Sequence, residues 1–364
     1  MTAMSASRHE QFPVQHYARE VRPHLPAAVF HRAPARAAWL PLHVAVIVAL
    51  AVYIVGASPP WYLALAAALL AGHSWICLAF LAHETLHHAV VRSHLLERLI
   101  GYCGLGIFCL SPTLWTAWHN QTHHGNTGNP AVDPDTFGTL QGWERAPVDR
   151  VFEKAAPGSR HKRSALFPFV TFSMHALVVL LFHSRHGNYY ARISRRVVYA
   201  ETAAMAAFWI GVLSLVGVQN FLFIYLLPLL VANAVGVSYI ATNHYLNSFT
   251  AINDPLVNAL SVTNPRWLEV LHMQFGYHVE HHVFPTLSGR HAALVRDVLV
   301  RLYGDRYLSM PHARALRLVY TRPKLHDTYD TLVDPRTRVR FHTLAPGGLT
   351  MDAVSPLGSA GGLS

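Results

Sequence analysis

The chain has 364 residues, of which 52% are apolar and only 13% charged, and it carries a formal net charge of +10. That composition, with a mean hydropathy of +0.24, excludes an ordinary soluble protein and implies a polytopic membrane protein. The excess charge sits in arginine-rich connecting segments, which reads as positive-inside topology and excludes a nucleic-acid-binding role.

Residues 1–38 hold Arg8, Arg19, Arg22, Arg32 and Arg36 and no long apolar core, so they read as a cytoplasmic N-terminal segment without a cleavable signal peptide. The stretches 40–57 and 61–82 are uncharged, separated by Ser58-Pro59-Pro60, and each can cross a bilayer core of roughly 20 residues. They expose a first histidine cluster, His83-Glu84-Thr85-Leu86-His87-His88, where the second span returns to the cytoplasm. A second cluster follows, His119-Asn120-Gln121-Thr122-His123-His124, and a third, His278-Val279-Glu280-His281-His282.

Parity constrains what lies between them. The apolar stretch 95–115 contains Glu97, Arg98, Gly101, Gly104, Gly106 and Pro112; if it crossed, the first two clusters would face opposite sides. A re-entrant or interfacial hairpin is expected there, buried in protein. Of the stretches 166–182, 203–218 and 221–241, only two can cross if the third cluster is to join the others. Arg185, Arg192, Arg195 and Arg196 follow the first, whereas the uncharged Val218-Gln219-Asn220 suits a turn on the far side. The expectation is therefore an all-α integral membrane protein with four transmembrane helices, interfacial helices, a cytoplasmic histidine-rich cap and both termini cytoplasmic. The core domain is expected over 39–325, with a C-terminal extension over 326–364 whose glycine- and serine-rich end, 345–364, reads as disordered.

Histidines four apart on a helix share one face. Imidazole suits iron, zinc and copper, and three such clusters exceed the needs of one four-coordinate zinc, so two metals are implied. A pair of irons can activate dioxygen against an unactivated C–H bond. Glu84 and Glu280 are placed to accept the far N–H of a ligand ring. His43, His73 and His175 read as core histidines without a metal, and Asp133 and Asp135 as shapers of a proline-rich turn. Cys77, Cys103 and Cys109 lie in apolar stretches, too few for a disulfide framework.

The set His83-x3-His87, His119-x3-His123-His124 and His278-x2-His281-His282 resembles the three histidine boxes of the integral-membrane fatty acid desaturase and hydroxylase superfamily. Gly276-Tyr277-His278-Val279-Glu280-His281-His282-Val283-Phe284-Pro285 and Asn129-Pro130-x2-Asp133-Pro134-Asp135 are typical of its desaturases. The resemblance implies a diiron centre, O2 as co-substrate and a fatty acyl substrate carried on a lipid, coenzyme A or an acyl carrier protein. Carried over residue by residue, it names His83, His87, His119, His123, His124, His278, His281 and His282 as ligands. Asn243-His244-Tyr245 resembles the extra-ligand position, which makes His244 the ninth and Asn243 its support. The family's first box usually gives two ligands, so His88 is expected just outside the shell.

Front-end desaturases usually have glutamine at the position of His278 and often a fused haem domain with His-Pro-Gly-Gly. Here the nearest string is Ala345-Pro346-Gly347-Gly348, so electrons are expected from an external ferredoxin-like or b-type cytochrome donor. Such a donor would be steered by Arg290, Arg296, Arg301 and Arg306 with Arg185, Arg192, Arg195 and Arg196, residues that could equally serve membrane lipid headgroups. Hydroxylation, ketolation and acetylenic-bond formation share the ligand set with desaturation. Two other classes remain open: an intramembrane zinc protease, because His83-Glu84-x-x-His87 fits H-E-x-x-H, and a histidine-lined metal transporter.

Overall fold

A computed structural model describes residues 10–183 and 188–344; Arg8, Arg185, the Ala345-Pro346-Gly347-Gly348 string and the rest of the expected tail lie outside them. The chain is mostly helical, built from apolar helices below a histidine-bearing cap. Helix α1, Trp39–Ala57, has no charged side chain and stops at Ser58, whose left-handed backbone (φ 42°) precedes two prolines. Helix α2, Trp61–Leu86, starts directly after Pro60 and is the most enclosed of the long helices. Helix α3, His94–Leu105, is N-capped by Ser93, whose Oγ accepts from Leu96 N. Its Gly104 permits close contact with α2: a Cβ there would sit 2.3 Å from Leu78 O and 2.5 Å from Ala82 Cβ.

The expected hairpin is present, since His94–Phe108 and Pro112–Asn126 meet at 96°. Helix α4 is Phe167–Val178, helix α5 is Arg195–Phe221 and helix α6 is Leu227–His244. Hydrogen bonding runs almost continuously through α5 and α6, yet Gly217 has non-helical torsions (φ 77°, ψ 165°). The Trp209 ring lies 4.3 Å from that of Tyr225, although sixteen residues of straight helix would separate them by about 24 Å. The chain thus folds back at Gly217, beside the turn read from Val218-Gln219-Asn220. Glycine supplies the positive φ that this reversal needs.

Lys162–Phe182, around α4, is also long and apolar enough to cross a membrane. Some of its contacts reach the histidine layer. The Phe167 ring meets Tyr245, the residue after His244, at 6.3 Å, His175 Nε2 lies 3.0 Å from Asp135 Oδ1, and Asn188–Ala191 packs against Thr116–His123. Between those points α4 also packs along α6, Ser173 N donating to Asn233 Oδ1 (3.0 Å) eleven residues before His244, so the segment counts among the four candidate spans.

The cap contains five short strands that no sequence periodicity announced. β1, Ser261–Thr263, pairs in parallel with β2, Ser309–Pro311. β3, Leu325–Thr328, pairs antiparallel with β4, Thr331–Val333, and β4 with β5, Arg340–His342. β3 runs across the position where the core was expected to end, and bridges Thr139–His326 and Asn247–Leu344 tie this meander to the cap. The N-terminal segment is drawn in as well: Val14–Val21 buries Tyr17 and Val21 among Val279, Val283 and Val295. Tyr17 Oη donates to Asp254 Oδ2 (3.1 Å), which also pairs with Arg306 (3.0 Å).

Candidate metal centre

Four pieces of chain deliver the histidines. α2 ends in the first box, so His83 and His87 share its last turns, and α6 ends in His244. The second box lies on a π-helical stretch, Thr116–His123, whose i→i+5 bonding brings residue i+5 over residue i. That widening sets His124 beside His119, Nε2 to Nε2 3.2 Å. The third box occupies the short helix His278–Val283.

All nine rings converge in two adjoining groups. In the first, His83, His87, His119 and His281 bring one nitrogen each within 4.8 Å of one another. His83 Nε2 is 3.0 Å from His119 Nε2, and His281 Nε2 is 3.0 Å from His124 Nε2. In the second, His123, His244 and His282 converge in the same way. His278 Nε2 lies 2.7 Å from His244 Nε2 and 3.1 Å from His282 Nε2. The rings of His124 and His282 stack at 4.3 Å and join the groups.

This donor set fits metal. Two nitrogens about 2.1 Å from one ion at right angles lie about 3.0 Å apart, the separation seen repeatedly here. His87 Nε2 is buried without a hydrogen-bond partner, as a ligand atom aimed into the group would be. Burial, reinforced by neighbouring histidines, pushes His281 down to about 3 and holds His278 and His282 well below the ordinary imidazole range. These three rings are therefore neutral, the form that binds metal, whereas at His123 burial is outweighed by Asp133 and Asp135, which push it up to about 9.

The partners that orient the rings differ in part from expectation. His123 Nδ1 is 2.9 Å from Asp133 Oδ1 and 3.3 Å from Asp135 Oδ2, so the run read as a turn supplies carboxylates to a ring. Asp133 also shapes the turn, its Oδ2 accepting from Gly128 N (2.8 Å). Burial opposes the charge on Asp135, but His123, His175 and the Trp118 indole hold its carboxyl below the usual range. His244 Nδ1 faces Asn258 O at 3.1 Å, and His282 Nδ1 faces Thr127 Oγ1 at 3.3 Å.

Glu84 and Glu280 do not take a ring N–H as expected. Each follows or precedes a box histidine by one residue, which on a helix points it about 100° away. Glu84 instead pairs with Arg36 (2.9 Å) and accepts from Ser288 Oγ (2.5 Å) and Gly289 N (3.2 Å). Glu280 accepts from Ser261 Oγ (2.6 Å) and from the Tyr307 hydroxyl. Asn243 is fully buried beside His244, with no side-chain hydrogen bond; its carbonyl accepts from Leu260 N. His88 points away from both groups, half exposed, with Nδ1 2.8 Å from Glu97. His175, expected to be an ordinary core histidine, belongs to the Asp135 network. A small cavity of about 40 Å³ opens beside His83 and His281, walled by Phe80, Phe275, Phe284 and Leu287.

Apolar helices beneath a cap in which buried imidazoles form two adjacent metal-capable groups define a histidine-rich membrane protein able to hold metal. The fatty acid desaturase family model matches residues 59–314, well over half of the chain, and the chain belongs to that family. Membership makes it an oxidoreductase acting on fatty acyl lipids, of the general desaturase and hydroxylase kind. A comparison with curated proteins finds no match.

Proposed function

We propose that the protein is an O2-dependent fatty acyl desaturase working at a diiron centre held by His83, His87, His119, His123, His124, His244, His278, His281 and His282. The observation that carries the reading is the convergence of these nine rings into two touching groups. The metal pair supplies oxygen activation against an unactivated C–H bond when bound. The chain's own part is to keep rings such as His278, His281 and His282 neutral, to orient His123 through Asp133 and Asp135, and to wall the approach with apolar side chains that exclude water. Electrons come from a separate ferredoxin-like or b-type cytochrome donor on the cytoplasmic side, and the domain that does this work spans 39–325.

The zinc-protease reading needs Glu84 as a general base, but its carboxylate is engaged by Arg36, Ser288 and Gly289. A transporter needs ligands along the spans near the midplane, whereas these rings gather at span ends. Hydroxylation, ketolation and acetylenic-bond formation stay within the same ligand set. Expression in a host without desaturases, followed by fatty acid profiling and iron analysis of the purified protein, tests the proposal. A new double bond with about two irons per chain is expected; an oxygenated product would reassign the reaction, and zinc without any iron would overturn the class.

A further inference from the structure

Three potential ligands lie outside the nine-histidine centre. His73 and Cys77 are four apart on α2, the spacing that puts both on one helix face. His272 reaches them from the loop after Arg266–Leu271. His73 Nε2 and His272 Nε2 are 3.0 Å apart, Cys77 Sγ is 3.8 Å from His73 Nδ1, and one ligand atom of each residue falls within 4.8 Å of the others. Cys77 and His272 are buried at 1% and 5% exposure. None of the three belongs to a histidine box, and His73 and Cys77 read from the sequence as inert.

Two imidazole nitrogens that face each other at 3.0 Å share either a proton or an ion. The nearby thiol makes the set a two-imidazole, one-thiolate donor set, which suits zinc and leaves a fourth tetrahedral position open. An outer partner is in place as well. Tyr239 Oη lies 2.8 Å from His272 Nδ1, and Asn264 Nδ2 donates to that oxygen at 3.3 Å. With Nδ1–H donating to Tyr239, His272 presents Nε2 bare toward His73, the arrangement seen behind metal-ligating histidines. Tetrahedral zinc would place sulfur about 3.6 Å from each nitrogen, and one ligand atom of each residue already lies within 4.8 Å of the others.

We infer that His73, Cys77 and His272 form a separate mononuclear zinc site. It lies about 15 Å along α2 from His83, ten residues at 1.5 Å each. The ion ties α2, which carries the first box, to His272, six residues ahead of His278 in the third. Binding displaces the thiol proton of Cys77 to solvent, and no electron is transferred.

The test is metal analysis of the purified full chain, wild type and variants, for zinc and iron together. Wild type is expected to bind about one zinc per chain. Cys77→Ser and His272→Gln should lose that zinc while keeping the iron of wild type. Cobalt(II) added to zinc-depleted wild type should give a thiolate-to-cobalt charge-transfer band. Cys77→His should keep the zinc but abolish the band. Wild type that takes up no zinc, or zinc that persists in Cys77→Ser and His272→Gln alike, would overturn the site; the first result would leave a hydrogen-bonded histidine pair, the second an ion lodged in the boxes.

Discussion

Among single residues, His124 and His88 make opposite predictions although both follow a four-spaced pair. His124 touches His119 and His281 in one group and stacks on His282 of the other, so His124→Ala should lower iron content at both positions. His88 adopts φ 63° and turns outward to Glu97, so His88→Ala should leave iron content unchanged. Iron per chain in the purified variants checks both. Asp133→Asn keeps the side chain's shape but weakens its hold on His123 Nδ1, and loss of such an outer partner typically costs about 10–100-fold in metal affinity. Chelator competition at equilibrium would measure it; unchanged iron affinity would return Asp133 to a purely turn-forming role. The four-spaced pairs were legible because helical spacing puts their rings on one face, and the full ligand set because the boxes resemble those of the family. Asp133 was not, because its contact with His123 depends on how the following turn folds back. Glu84 was misread for a related reason: adjacency in sequence is not adjacency on a helix, and its actual partners come from residues 36, 288 and 289.

Among elements, long apolar runs and the turn near Val218-Gln219-Asn220 could be read in advance, since length and charge are local, but Gly217 as the residue that makes the reversal was not. The π-helical second box could not, because its i→i+5 bonds leave no separate period in eight residues. Nor could the strands, at three or four residues each. The β3–β5 meander offers its own test through His326. Its Nε2 lies 3.0 Å from Asn247 O, and its ring stacks on Phe249 at 3.6 Å with 2% exposure. Burial is the main cause that lowers His326 to about 4, with the Asn247 carbonyl and Asp330 opposing. An unfolded histidine titrates near 6.5, so the folded segment binds the proton less well than the unfolded one. The stabilising contribution is thus complete above pH 6.5 and is lost as pH falls toward 4, at most about 3 kcal/mol. Hydrogen exchange in β4, corrected for its intrinsic pH dependence, should accelerate over that window. His326→Gln should remove the acceleration; equal behaviour of the two proteins would show that another group governs the meander.

Across the whole molecule, the proposed reaction calls for an external electron donor, and the arginines read as its docking face are not equivalent. Arg306 is committed inward, bonding Asp254, Tyr17 Oη and Glu10 O and covering the Phe12 ring. Arg296 is half-buried over the Tyr307 ring and reaches Ser309. Arg290 and Arg301 are exposed on the third-box side, and Arg192 and Arg196 are exposed at the entry to α5. Steering by exposed charge acts over a Debye length, about 10 Å at 0.1 M salt and 3 Å at 1 M, and raises association rates by roughly 10–1,000-fold. If an acidic carrier docks here, its reduction of the lipid-free enzyme should slow steeply as salt rises. Arg290→Glu with Arg301→Glu should lower the low-salt rate toward the high-salt value while melting behaviour stays that of wild type. Arg306→Ala should do the reverse, lowering thermal stability by releasing the N-terminal helix while the salt slope persists in the folded fraction. A rate indifferent to salt in wild type would assign Arg290 and Arg301 to anionic lipid headgroups and move the donor's contact to another part of the cap.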